Sequence, residues 1–353
     1  MPAPACIVAW ARVSPDLDLA RLDRGAARLL PLVWWNLRRH GVEAPLVARL
    51  EERYRATRAA NEARLAELVA VLGAFRAAGV ATLLLKGGAL VAGATVDLGV
   101  RPMSDIDLLV PTARVPDAVS LLNRLGWSTG AAVTSAMKQL THSVPLSHPA
   151  RADVDLHWHV FEECCRDGDD DAIWAASLPV AIGGVSTRVP APEDQLIHAC
   201  VHGEKWVRVP GIRWIADAVA LVRGRQVRWD RLIEQAVSRR FVLRLRAQFA
   251  YLASAFAAPI PPEALAALDA APVSRLERFE QRWSVRDRRR PWLLVYWCNH
   301  VRSAPGGLAA ATLTFPRYLQ ATWRLPSLAG VPGAAVGRLV RAWSAQHPGS
   351  RPV

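Results

Sequence analysis

The chain opens with a long stretch in which apolar positions recur at helical spacing. Residues 17–79 carry this pattern, first in LARLDRGAARLLPLVWWNLRRHG, where Pro31 should break or kink a helix. A second, longer helix is predicted from Pro45 to a stop at Gly79. Trp34 and Trp35 read as core side chains of this helical part. The period then changes. Val80–Leu85 and Ile106–Val110 are short apolar runs that read as strands, and Val115-Pro116-Asp117 opens a helix closing near Gly126. Further strands are expected around 127–133 and 142–147. From Asp153 to His159 polar and apolar residues alternate with period two, which puts Asp153, Asp155, His157 and His159 on one face of a strand. Ala191-Pro192-Glu193-Asp194 starts a return to helix. Helical segments follow through GIRWIADAVALV, 229–257, 262–287 and 291–303, with PIPP at 259–262 as a connector. The expectation is an α+β protein with a small sheet core wrapped by helices on both sides in sequence. Its parts are a helical region at 1–79, a sheet core at 80–190, a second helical region at 191–302 and a tail with short helices at 303–353.

Candidate chemistry concentrates between Leu83 and Val110, LLLKGGALVAGATVDLGVRPMSDIDLLV. Asp105 and Asp107 stand two apart on a strand, so their carboxylates share a face and repel unless a cation lies between them. Hard carboxylate oxygens suit magnesium, which takes one or two of them together with substrate phosphates. Lys86-Gly87-Gly88, at the preceding strand-to-helix turn, adds a point charge and a backbone that a phosphate can approach closely. Gly-Gly alone is a turn and Asp-x-Asp alone is a strand edge. Their order and spacing together describe a site for metal-bound phosphates.

LLLKGGAL followed by RPMSDIDLLV, and later DVDLHW, resembles the uncharacterised bacterial nucleotidyltransferase family within the DNA polymerase β-type superfamily. The resemblance implies a polymerase β-like catalytic sheet and a third carboxylate on a later strand. Asp155 matches that position, with Asp153 as the alternative. It further implies two magnesium ions held by Asp105, Asp107 and Asp155, and in-line transfer of a nucleoside monophosphate from an NTP, ATP foremost, to a hydroxyl of a small molecule, peptide or protein. Lys86, Gly87, Gly88 and Ser104 would bind the outer phosphates, and Arg101 would stand near the developing charge. His157 would position acceptor or phosphate, or make a structural hydrogen bond. Where the family has a tyrosine-rich run before Asp-x-Asp, this chain has Ala, Gly and Val, which leaves the acceptor contacts open.

Other readings follow from other residues. His157 and His159 with a carboxylate would suit a transition metal such as zinc. His198 and His202 share a helical face, but Ala199 stands where a zinc-protease helix has its Glu, so they read as core or supporting histidines. Arg213 and Asp217, one turn apart, read as an internal ion pair or as a base or acceptor contact.

Composition narrows the class. With 353 residues, 52% of them hydrophobic, the chain can bury real cores, and no apolar run reaches the roughly 18 residues of a membrane span. The start, MPAPACIVAWARV, lacks the positive region of a signal peptide, so a cytosolic protein is expected. The five cysteines show no metal-ligand spacing and read as buried thiols. Of the net charge of +13, about +10 lies after residue 274, where thirteen arginines face Glu277, Glu280 and Asp287. That bias reads as a solvated helical face; the alternative is attraction of nucleic acid or a membrane surface. A third reading keeps the fold as a non-catalytic nucleotide-binding module.

Overall fold

The computed structural model describes residues 5–130, 132–203, 212–286, 292–304 and 307–346. Its centre is a six-stranded mixed sheet of β1 (Leu83–Leu84), β2 (Asp105–Leu109), β3 (Ser143–Leu146), β4 (Asp153–His157), β5 (Leu178–Ile182) and β6 (Val185–Val189). The spatial order is β3-β4-β2-β1-β6-β5. β2 runs antiparallel to β1 and parallel to β4, and β1 runs parallel to β6.

Alternation along the strands feeds two separate cores. Leu84, Ile106, Leu108, Val154 and Leu156 pack under the 33-residue helix Pro45–Ala77, through its Leu68, Val71, Leu72 and Phe75. Leu83 and Leu109 point the other way, into the core formed with helices Pro192–Gly203, Arg213–Gly224, Trp229–Ser238 and Val242–Phe256. Because side chains alternate, Asp105 and Asp107 share the face of Leu109, and Asp155 and His157 occupy the same face of β4. The site residues thus stand on the sheet face that the later helices cover.

The Pro45–Ala77 helix has a second task. Asn61, fully buried, donates from Nδ2 to the carbonyls of Leu98 (2.7 Å) and Arg101 (2.9 Å), while its Oδ1 accepts from the Met103 amide (3.2 Å). Two turns earlier on the helix, Tyr54 donates to Asp97 Oδ1 (2.8 Å), and its ring lies so close to Gly99 that a Cβ there would be 2.3 Å away. The loop leading into β2 is therefore held by helix side chains rather than by its own backbone pairing. Trp34 stacks near Tyr54, with ring centroids 4.3 Å apart, inside a smaller N-terminal core, as the pattern predicted.

Several elements differ from the sequence expectation. Pro31 begins the helix Leu30–Arg39 instead of breaking one, because a proline at the first turn has no amide to lose. The 229–257 segment divides at Arg239–Phe241, where Arg240 takes φ +60, and 262–287 divides into Pro262–Ala270 and Arg275–Arg286 around Pro272. Residues 127–133 form no strand, only a bridge from Ser128 to Ser147. The β5–β6 hairpin was not anticipated. Its turn is Gly183-Gly184, both at positive φ (+54 and +78), as a two-residue hairpin turn requires. The tail contributes helices Gly307–Thr322 and Gly330–Gln346, and their Tyr318, Leu319, Trp323 and Val331 pack with Leu140 and Tyr296. Among the described residues, no helix is long and apolar enough to cross a membrane. Cys164, Cys165, Cys200 and Cys298 are free and buried; the Cys6 side chain lies outside the described residues.

Removing the Asn61 amide leaves three buried backbone groups without their partner. Asn61→Ala is expected to lower stability by about 2 kcal/mol, a shift of several degrees in thermal unfolding. An unchanged Tm would show that the 97–103 loop is held by other contacts.

Candidate functional site

Parallel pairing of β2 and β4 sets Asp107 directly beside Asp155, and Asp105 beside Asp153. The inner pair is buried or nearly so, the outer pair is not: Asp107 is 5% exposed, whereas Asp153 lies open to solvent. His157, 1% exposed, reaches back along β4 and places Nε2 2.9 Å from Asp155 Oδ2 and 3.3 Å from Asp107 Oδ1. Lys86 completes the group from the first residue of the helix Lys86–Ala92. Its Nζ forms a short ion pair with Asp107 Oδ1 and lies 3.8 Å from Asp155 Oδ2.

The charges in this group support one another. Burial works against ionising Asp107, but Lys86 and the hydrogen bond from His157 outweigh it and hold the carboxyl down at about 2. Asp155 is likewise lowered despite burial, chiefly by His157. Burial would also strip His157 of its proton, yet the Asp155 charge and the bonds to both carboxylates raise its pKa. The imidazole is thus held as a donor to the two aspartates.

Among the described residues, Asp107, Asp155 and His157 offer one ligand atom each within 4.8 Å of one another. Two carboxylates kept ionised and an adjacent ring nitrogen suit a divalent cation. Asp105, named with Asp107 and Asp155 in the sequence reading, stands next along the same face, half-buried and accepting from Ser104 Oγ at 3.0 Å. The compact group therefore contains His157 where the sequence reading had Asp105. His159 does not join it: beyond the end of β4 its Nδ1 turns to Asp170 Oδ2 at 2.8 Å, which separates the two histidines of the zinc reading.

The turn between β1 and β2 distributes its roles unexpectedly. Lys86 itself carries the positive φ (+46), and Gly87 and Gly88 are helical. Gly87 is needed for space: a Cβ there would lie 2.0 Å from Arg101 Nη1 and 2.9 Å from Met103 Cγ. At Gly88 the nearest atom would be Leu84 Cβ at 3.8 Å, an ordinary contact. Arg101 is buried, with Nε and Nη2 donating to Asp217 Oδ1 (2.8 Å) and Oδ2 (2.9 Å). Burial disfavours its charge, but Asp217 overcomes this and raises its pKa. The ion pair expected between Arg213 and Asp217 is replaced by this one, since a bidentate partner from the loop outcompetes a neighbour one turn away. Arg213 instead donates from Nη1 to the Pro102 carbonyl at 3.2 Å.

Lys86 and Arg101 open onto a cavity of about 580 Å³. Its walls include Arg24 and Arg28 from the N-terminal region, His198 and His202, and Arg213 and Trp214. The two histidines stand edge-to-face, with ring centroids 5.7 Å apart. Arg24 and Arg28 carried no sequence signal, because nothing local marks a surface arginine as lining a cavity formed by residues about 60 to 200 positions away.

The family of uncharacterised nucleotidyltransferases matches residues 19–257, about two thirds of the chain, and the protein belongs to that family. Its six-stranded mixed sheet carries the paired aspartates on parallel neighbours. No curated protein matches it. Among solved structures, the antibiotic-resistance factor ANT(2'')-Ia in solution is 13% identical with a TM-score of 0.36, over 64% of this chain and 95% of that one. The lincomycin-bound lincosamide antibiotic adenylyltransferase LnuA is 16% identical with a TM-score of 0.31, over 44% and 94%. An antigenic nucleotidyltransferase-like protein from Paracoccidioides brasiliensis is 12% identical with a TM-score of 0.36, over 62% and 97%. Likeness at this level carries no argument about substrate.

The two glycines should separate experimentally. Gly87→Ala is expected to force Arg101 off its seat and to lower stability by about 2 kcal/mol or more, whereas Gly88→Ala should be neutral or slightly stabilising in the helix. Equal thermal stability of the two variants would contradict the close approach of Arg101.

Proposed function

We propose that the protein transfers a nucleoside monophosphate from an NTP, ATP foremost, to a hydroxyl acceptor, with magnesium at the aspartate cluster. The observation that carries this reading is the convergence of Asp107, Asp155 and His157 within 4.8 Å, next to Lys86, in a chain of this family. Two magnesium ions bound there would stabilise the attacking and leaving oxygens of an in-line displacement. Asp107 and Asp155 would hold the first, and Asp105, on the same strand face, would contribute to the second.

The protein's own groups divide the remaining work. Asp155, ionised and at the partly open side of the cluster, accepts the proton of the acceptor hydroxyl. His157 fixes that carboxylate through its 2.9 Å contact and keeps it from turning away; it is a positioning residue, because its own proton is retained by the two aspartates. Lys86, with Gly87, Gly88 and Ser104, meets the outer phosphates of the nucleotide. Arg101 acts through Asp217 and through its packing on Gly87, holding the turn in place rather than presenting its full guanidinium to the phosphates. Asp153, exposed at the outer end of β4, is left without a part. The cluster also argues against a purely regulatory module: four interlocked charged groups at one buried point make no contribution that an apolar patch would not make more cheaply.

The direct test is transfer of label from an α-phosphate-labelled NTP to an acceptor pool. Asp107→Asn should reduce transfer at least about a hundredfold, while Asp155→Ala should lower turnover more than nucleotide affinity. Undiminished transfer by Asp107→Asn would sink the proposed metal site.

A further inference from the structure

Among the described residues, the cavity beside Lys86 carries more cationic than anionic side chains. Five cationic side chains line it, Arg24, Arg28, Lys86, Arg101 and Arg213, against the single carboxylate of Asp217 among the described lining residues. Two of the five are already engaged. Arg101 occupies both oxygens of Asp217, and Lys86 is paired with Asp107. Among the described residues Arg24 and Arg28 form no ion pair, and both are exposed and line the cavity. Arg213, which donates to a backbone carbonyl, is half-buried; burial, with Arg101 close by, pushes its pKa down to about 10. Like charges gathered at a partly buried point repel, and a bound anion relieves them.

We propose that this cavity is a polyphosphate-binding site in which Arg24, Arg28 and Arg213 hold the outer phosphates of the nucleotide. The assignment of the anion to the nucleotide rests on the nucleotidyltransferase reading; the site for a multiply charged anion does not. Position supports that assignment, because Lys86 belongs to both places: it lines the cavity and touches Asp107 and Asp155. A chain of phosphates lying along the arginines would end at the aspartate cluster. Composition supports it as well. Leu90, Pro190, Leu221 and Trp214 give the same cavity an apolar wall, which suits a nucleoside attached to the charged chain, and the volume is ordinary for a ligand of that size. Guanidinium groups meet phosphate through paired N–H donors, and three of them match the several oxygens of a phosphate chain.

Calorimetric titration of the full chain with inorganic tripolyphosphate, and separately with ATP, tests this. The wild type should bind tripolyphosphate, tripolyphosphate should displace ATP, and the double variant Arg24→Ala/Arg28→Ala should bind both about tenfold or more weakly with unchanged thermal stability. Arg213→Lys, which keeps the charge but loses the paired donors, should weaken both by a smaller factor. Absence of tripolyphosphate binding, or equal binding by the double variant, would overturn the site. Arginine-dependent tripolyphosphate binding without displacement of ATP would overturn its assignment to the nucleotide and give the cavity to a phosphate on the acceptor, which a phosphate monoester of a sugar would then occupy in competition. Arginine-dependent tripolyphosphate binding in a protein that binds no ATP would leave the site standing and overturn ATP as the proposed nucleotide.

Discussion

Two carboxylates fixed opposite each other on neighbouring strands are the constraint from which the rest of this molecule follows. Asp107 and Asp155 are in register on β2 and β4, where like charges destabilise a sheet. The fold answers with Lys86 and His157, both within reach of both carboxylates. With His157 protonated, two positive charges balance two negative ones. A divalent cation entering this cluster therefore meets a position already neutralised. In the proposed function its entry would release Lys86 toward the adjoining cavity. Such an exchange would link the metal to the nucleotide: a lysine displaced from Asp107 needs a new anion, and phosphates would provide one.

Holding that cluster requires support from distant parts of the chain. The Pro45–Ala77 helix ties down the 97–103 loop through Asn61 and Tyr54. That loop delivers Arg101 across Gly87 to Asp217 on the Arg213–Gly224 helix. The buried Arg101–Asp217 pair thus joins the N-terminal helix, the turn that bears Lys86 and the helices that cover the sheet. Such a pair contributes little net stability compared with an apolar contact, and breaking it by losing one partner costs several kcal/mol. Its value here lies in fixing where the turn sits.

The parts of this arrangement that repeat locally were legible in the sequence. Period-two alternation in Asp153–His157 gave a strand and its polar face, and Asp105 and Asp107 fell on one face for the same reason. Gly79 and Pro192 marked helix ends close to where they occur. What the sequence withheld was pairing across distance. Asp217 has Arg213 four residues away and Arg101 116 residues away, and only the folded loop makes the distant arginine its partner. His157 and His159 read alike on the strand pattern, but β4 ends between them and sends them to different carboxylates. Gly183-Gly184 did carry a hairpin signal; the flanking LPVAI and VSTRV alternate too weakly to announce strands.

Asp107 and Asp155 are proposed to form a metal-dependent nucleotide site. Thermal unfolding with ATP, in the presence and absence of magnesium, measures it most directly. At a hundredfold excess over its dissociation constant a ligand stabilises the native state by about 2.7 kcal/mol, a shift of a few degrees for a chain of this size. The account predicts such a shift for the wild type only when magnesium is present, and none for Asp107→Asn. An equal shift without magnesium, or in the variant, would contradict it.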